Sequence, residues 1–70
     1  MGRYIAYVIY GGREIRILSE PRDSVEQARQ SATYTAEERP FVGVASDQDE
    51  RFIAMQVWNQ YVVNEMEKAR

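Results

Sequence analysis

Gly11-Gly12 stands between two runs of β-preferring residues, and this pair constrains the fold of the chain more than any other feature. Tyr4-Ile5-Ala6-Tyr7-Val8-Ile9-Tyr10 precedes it, dense in β-branched and aromatic side chains, and Arg13 to Leu18 follows it. Two consecutive glycines supply the positive φ angles that a tight antiparallel turn demands. With Gly11-Gly12 as the whole loop, Tyr10 pairs with Arg13, Val8 with Ile15 and Ala6 with Ile17 on one face. Ile9 with Glu14, Tyr7 with Arg16 and Ile5 with Leu18 then share the other. The first face, small and aliphatic, is the expected seat for a helix. The second mixes apolar and charged side chains.

Glu20-Pro21 ends the second strand, and a helix start follows. Asp23 with Glu26, or Ser24 with Gln27, fits the pattern in which side chains satisfy the free amides of a helix N-terminus. Val25, Ala28 and Ala32 fall at helical spacing, which predicts a helix from Ser24 to about Tyr34. Thr35 to Glu38 either extends it or forms an extra turn, because Pro40 disfavours helix at Arg39. Phe41-Val42-Gly43-Val44-Ala45 reads as a short, buried third strand.

From Val44 to Arg70 there is neither Gly nor Pro. Ser46 with Asp49 resembles a helix cap; Asp47, Asp49 and Glu50 place acid at the positive end of a helix dipole, and Lys68 and Arg70 place base at the negative end. Phe52, Met55, Trp58, Val62, Val63, Met66 and Ala69 share one broad arc of a helical wheel, which predicts a helix from about Asp47 to Lys68. Ile53, Met55 and Val57 also alternate as a strand would, with Asp47 to Glu50 as a loop and Asn59-Gln60 as a turn. The expected fold is α+β, β-β-α-β-α, with an antiparallel N-terminal hairpin and helices packed on the sheet. The alternative is β-β-α-β-β with a four- or five-stranded antiparallel sheet. Residues 1–70 form one small domain, because the hairpin and the third strand need each other to bury a face.

Composition now bears on function. The chain has 70 residues, no Cys and no His. A domain of this size buries only about 60% of the surface its unfolded form exposes, and the usual staples are disulfides, a metal or oligomerisation. The first is excluded, and so are thiolate and imidazole metal ligands. No Ser-His-Asp triad, Cys-His pair or HExxH helix can be drawn, so no catalytic residue, metal ligand or cofactor is assigned and the chain is expected not to be an enzyme. Asp47-Gln48-Asp49 opens like a calcium loop, but Phe52 stands where glycine is required and Trp58 where the bidentate glutamate belongs. Gly11-Gly12-Arg13 lacks the length and the Lys-Ser/Thr of a phosphate-binding loop. The longest apolar run, Tyr4 to Tyr10, is seven residues, far short of the ~20 that span a bilayer. It has no small-residue cleavage site after it. No membrane association and a cytoplasmic location are expected.

The order β-β-α-β-α, with Tyr4 in Gly2-Arg3-Tyr4, resembles the GIY-YIG nucleases. The second element of that family, Tyr-Ile-Gly, here reads Ile15-Arg16-Ile17, so the second tyrosine and its glycine are missing and no catalytic residue is carried over. The small size, net charge of −2 and lack of catalytic residues also resemble small phage-type inhibitors of host defence complexes, including anti-CRISPR proteins. That resemblance implies a protein-binding function.

Two surfaces are candidates for use. Arg3, Tyr7, Tyr10, Arg13 and Arg16 combine aromatic and basic side chains, the combination on which single-stranded nucleic acid stacks, although net acidity argues against a dedicated polyanion binder. Ile53, Val57 and Tyr61 form a second stripe on the C-terminal helix, at i, i+4 and i+8 on the side away from the sheet, and together with Trp58 they are the expected protein interface. Apolar area exceeds what one 70-residue chain can bury, and exposed patches mark interaction surfaces. The leading expectation is a non-enzymatic protein–protein interaction module, a homo-oligomer (most simply a dimer) or a binder of a larger protein, acting through that stripe.

Overall fold

The computed structural model describes residues 3–69. The element order is β-β-α-β-α, as expected: β1 (Tyr4–Tyr10), β2 (Glu14–Ile17), α1 (Val25–Ser31), β3 (Gly43–Ser46) and α2 (Phe52–Lys68), with a 3₁₀ turn at Arg39–Phe41 before β3. The sheet has three antiparallel strands in the order β2-β1-β3. The C-terminal segment is a helix, not a second hairpin.

The hairpin differs from expectation by one residue. Gly11 and Gly12 do adopt positive φ, +58° and +73°, and the Arg13 amide donates to the Tyr10 carbonyl at 3.1 Å. Pairing begins only at Glu14, however, which lies opposite Tyr10; Ile15 then faces Ile9, Arg16 faces Val8 and Ile17 faces Tyr7. The loop therefore has three residues. Because side chains alternate, a shift of one residue exchanges the faces of the whole second strand. With a two-residue loop, Glu14 and Arg16 would share a face with Ile5, Tyr7 and Ile9. With three, Ile15 and Ile17 join that face, and Arg16 points to the side where Glu38 waits.

Each face of the sheet carries one helix. On the odd-numbered face of β1, Ile5 and Ala45 pack with Ala54, Val57 and Trp58 of α2, flanked by Tyr7, Ile15, Ile17 and Tyr61. On the even-numbered face, Ala6, Val8 and Leu18 pack with Ala28 of α1, flanked by Tyr4, Ala32, Tyr34, Val42 and Val44. β1 is thus the middle of a three-layer stack, which is why Ile5, Ala6 and Val8 are all buried despite pointing to opposite sides. Beyond β2, the Leu18 amide donates to the Ala6 carbonyl at 2.8 Å, and Tyr4 and Arg22 exchange backbone hydrogen bonds at 2.8 and 2.9 Å. The start of β1 is covered in this way after β2 has ended.

The remaining boundaries tighten. α1 starts at its expected cap, with Ser24 Oγ accepting from the Gln27 amide at 3.1 Å and Gln27 Oε1 accepting from the Asp23 amide at 3.2 Å. It ends at Ser31 rather than Tyr34, because the Thr33 amide leaves the helix to donate to the Leu18 carbonyl at 3.1 Å. Thr35 to Glu38 forms the extra turn, not an extension. β3 starts two residues later than expected, since the 3₁₀ turn takes Phe41, which is exposed. Gly43 faces Tyr7 across β1–β3, and a Cβ there would lie 2.7 Å from Cζ of the Tyr7 ring. The ring covers the strand at its one residue without a side chain. α2 starts at Phe52, not Asp47. Ser46 Oγ accepts from the Gln48 amide at 3.1 Å and Asp49 Oδ1 from the Arg51 amide at 2.9 Å, so these side chains cap the loop turns instead of the helix.

Candidate functional site

The interface predicted from sequence is largely core. Val57 is 0% and Trp58 9% exposed, and Tyr61 is half-buried; of the four residues named, only Ile53 is exposed. Apart from Trp58, which belongs to the arc expected to pack on the sheet and does so, the two sides of α2 are exchanged relative to expectation. Trp58 explains why. Its indole N–H donates to the Ala45 carbonyl at 3.3 Å, its ring meets Tyr61 edge-on at 5.6 Å, and the Arg3 guanidinium lies 5.2 Å from the ring centroid. A flat ring with one polar atom fits against the short strand β3, and Ala54 beside it lets the helix approach.

Phe52, Met55, Val62, Val63 and Met66 instead form the outward face and are 71%, 52%, 50%, 46% and 64% exposed. At 100° per residue they lie within one arc of about 100°, with Asn59 near its middle. No residue from Phe52 to Asn64 is charged, so more than three turns of a solvent-facing helix present only methyl groups, an aromatic ring and side-chain amides. A monomeric surface helix ordinarily carries its charges on this side.

The basic and aromatic set does not converge. Tyr7 packs under α2, and Tyr10 points to the opposite face of the sheet. Arg3 is held against β3: its amide donates to Asp47 Oδ1 at 3.0 Å and its Nε to Asp47 Oδ2 at 3.1 Å. Arg16 donates to both oxygens of Glu38, at 3.0 and 3.3 Å. Only Arg13, at the hairpin tip, has neither role. Tyr7 and Tyr10 thus lie on opposite faces of the sheet, each of which carries a helix.

Sequence reasoning missed Glu38. Among the described residues it is the one buried charged side chain, 5% exposed, and its carboxylate also accepts from the Tyr10 hydroxyl and from the Thr35 amide, the latter at 2.8 Å. The Glu38 amide in turn donates to Thr35 Oγ1 at 3.2 Å. The spacing Thr35-x-x-Glu38 is the reciprocal cap pattern itself and was visible in the sequence. The Tyr10 hydroxyl, first, and the Thr35 amide hold the Glu38 carboxyl below its ordinary range. The same bond to Glu38, with some burial, raises the Tyr10 phenol. Both carboxylate oxygens of Glu38 are met by donors from the protein, which makes the cluster a clamp between the hairpin and the 3₁₀ turn.

The acidic loop is similarly engaged. Asp47 is lowered chiefly by the Arg3 amide and Asp49 chiefly by the Arg51 guanidinium. Among the described residues no group of three or more acidic side chains could hold a metal ion, and no helix is long and apolar enough to cross a membrane. A broad open groove follows the free edge of β2, between Arg16 and Ile17 on one side and Tyr61, Asn64 and Lys68 on the other. No family model, curated protein or solved structure matches this chain.

Proposed function

We propose that this chain is a non-enzymatic protein–protein interaction module that works through the outward face of α2. The observation that carries the reading is the uncharged, apolar arc of Phe52, Met55, Val62, Val63 and Met66 on an otherwise charged and folded domain. Full burial of such a side chain contributes roughly 1.5–3 kcal/mol, so leaving half or more of each in water forgoes on the order of 1 kcal/mol apiece, together a large share of a small domain's stability. A partner that covers them recovers it. The titratable side chains with shifted pKa values are engaged in internal hydrogen bonds and ion pairs, which supports a binding role over a catalytic one. Dispersal of Arg3, Tyr7, Tyr10 and Arg16 into internal contacts favours a protein partner over nucleic acid.

Site-specific photocross-linking in cells making the protein tests this. A benzoylphenylalanine in place of Val62 is expected to give a discrete protein adduct, whereas one in place of Arg29 on α1 gives none. Equal yields at the two positions, or none at position 62, overturn the reading.

A further inference from the structure

We infer that the partner is a second copy of this chain, joined helix to helix along a short seam on α2 with the two Asn59 amides meeting at the two-fold axis. The inference rests on the reading of α2 as an interaction surface and goes further by naming the occupant.

Three observations select it. Phe52, Met55, Asn59, Val62 and Met66 are spaced 3, 4, 3 and 4, the alternation that keeps a stripe facing a partner helix over successive turns. All five are exposed, so this seam is free of the chain's own fold. The core face of α2, Ala54, Val57, Trp58 and Tyr61, is a separate stripe on the far side.

Asn59 is the second observation. It is the one polar residue in the seam, and an apolar groove on a foreign protein would have to bury its amide without a partner, at a cost. A copy of the chain removes that cost by symmetry. An asparagine amide both donates and accepts, so two of them pair with each other across a two-fold axis. A lone asparagine among apolar seam residues is also a known means of fixing the register of paired helices.

Area and charge complete the case. Five side chains exposed to this degree each present on the order of 100 Å², so two copies laid seam to seam remove about 1,000 Å² from water, the lower end of a specific interface. The absence of charge from Phe52 to Asn64 means that the face gives an oppositely charged partner nothing to recognise. Over that stretch two copies of a chain with net charge −2 meet with no like charges opposed, and only the Met66 end of the seam, between Glu65 and Glu67, lies beyond it. An interface at this lower bound with two polar groups at its centre is a reversible one.

The test uses the full chain. Sedimentation velocity from about 10 to about 500 µM is expected to show a monomer–dimer equilibrium within that range. Met55→Glu with Val62→Glu, both at exposed positions, leaves the circular dichroism unchanged and raises the dissociation constant at least about tenfold. The chain has no cysteine, so Asn59→Cys introduces a single thiol. Mild oxidation of that variant yields a disulfide-linked dimer, because bridged Cα atoms must approach within about 7 Å, while Glu26→Cys on α1 does not cross-link. A strict monomer throughout the range overturns the inference, and an adduct to a different protein at position 62 would then leave the broader reading standing. A dimer that survives Met55→Glu with Val62→Glu, or that fails to cross-link through position 59, overturns the seam.

Discussion

Glu38 shows how one residue can tie together parts of a chain that have little else in common. A buried carboxylate is costly unless its oxygens are satisfied, and here Tyr10 of β1, Arg16 of β2 and the Thr35 amide supply the donors. The pH dependence follows from the direction of the shift. Its folded pKa is depressed below the usual 4.5, so its contribution to stability is complete above the unfolded value and is lost as the pH falls through the lowered folded one. Tyr10 acts in the opposite sense. Its pKa is raised above 10.0, so its contribution is complete below that value and is lost as the pH rises through the raised one. Glu38→Gln is therefore expected to lower the thermal midpoint by several degrees at pH 7 and to flatten the loss of stability below about pH 4.5 relative to wild type. The Tyr10 phenol, isolated as the difference between the ultraviolet titrations of the parent and its Tyr10→Phe variant, should ionise at lower pH when Glu38 is Gln. A phenol that does not move would remove Glu38 from this role.

At the scale of elements, turns and helix faces decide what the residues meet. Gly12 sits at φ +73° with nothing within 4 Å of where a Cβ would stand, so any penalty for a side chain there is conformational and not a clash. Gly12→Ala is expected to cost about 1–2 kcal/mol, while Gly12→Asn, which tolerates the left-handed region, should cost less. Urea unfolding of the two variants checks the order, and equal costs would show that the turn relaxes to another type. The same hairpin shows what the sequence makes legible. β-Propensity and the glycine pair identify both strands, but the faces of β2 depend on whether Arg13 belongs to the turn or to the strand. Propensity is silent on that choice. It is settled by distant groups: Glu38 on one side to receive Arg16, and the core under α2 on the other to take in Ile15 and Ile17. α2 presents the same difficulty. It is apolar almost all round, so a helical wheel offers two acceptable faces. Side-chain bulk points to the arc of Phe52, Met55 and Val62, whereas the fold uses the arc with the small Ala54 and the hydrogen-bonding Trp58. The composition of the candidate surface, uncharged and apolar on α2, was readable; its side of the helix was not.

For the whole molecule, the arrangement of two small cores around one strand sets the stability. Ile5 points into the core under α2, and its neighbour Ala6, with Val8, into the core under α1. Neither helix can leave without exposing β1, so the two cores should unfold as one cooperative unit. Trp58 is the largest side chain of the α2 core and the only tryptophan of the chain, which makes its fluorescence a probe of that side alone. Urea transitions followed by this fluorescence and by far-ultraviolet circular dichroism are expected to coincide; a fluorescence change preceding the loss of secondary structure would mean that α2 detaches first. Trp58→Ala removes the ring that fills the space between α2 and β3, with a cost of about 3–5 kcal/mol, comparable to the entire stability of a domain this small. The variant should lack a cooperative thermal transition altogether. Trp58→Phe keeps an aromatic ring and loses the hydrogen bond to Ala45, so it should retain a transition at a lower midpoint, with a loss nearer 1–2 kcal/mol from the orphaned carbonyl and the smaller ring. If Trp58→Ala instead melts cooperatively within a few degrees of the parent, the core under α2 is not what holds the sheet together.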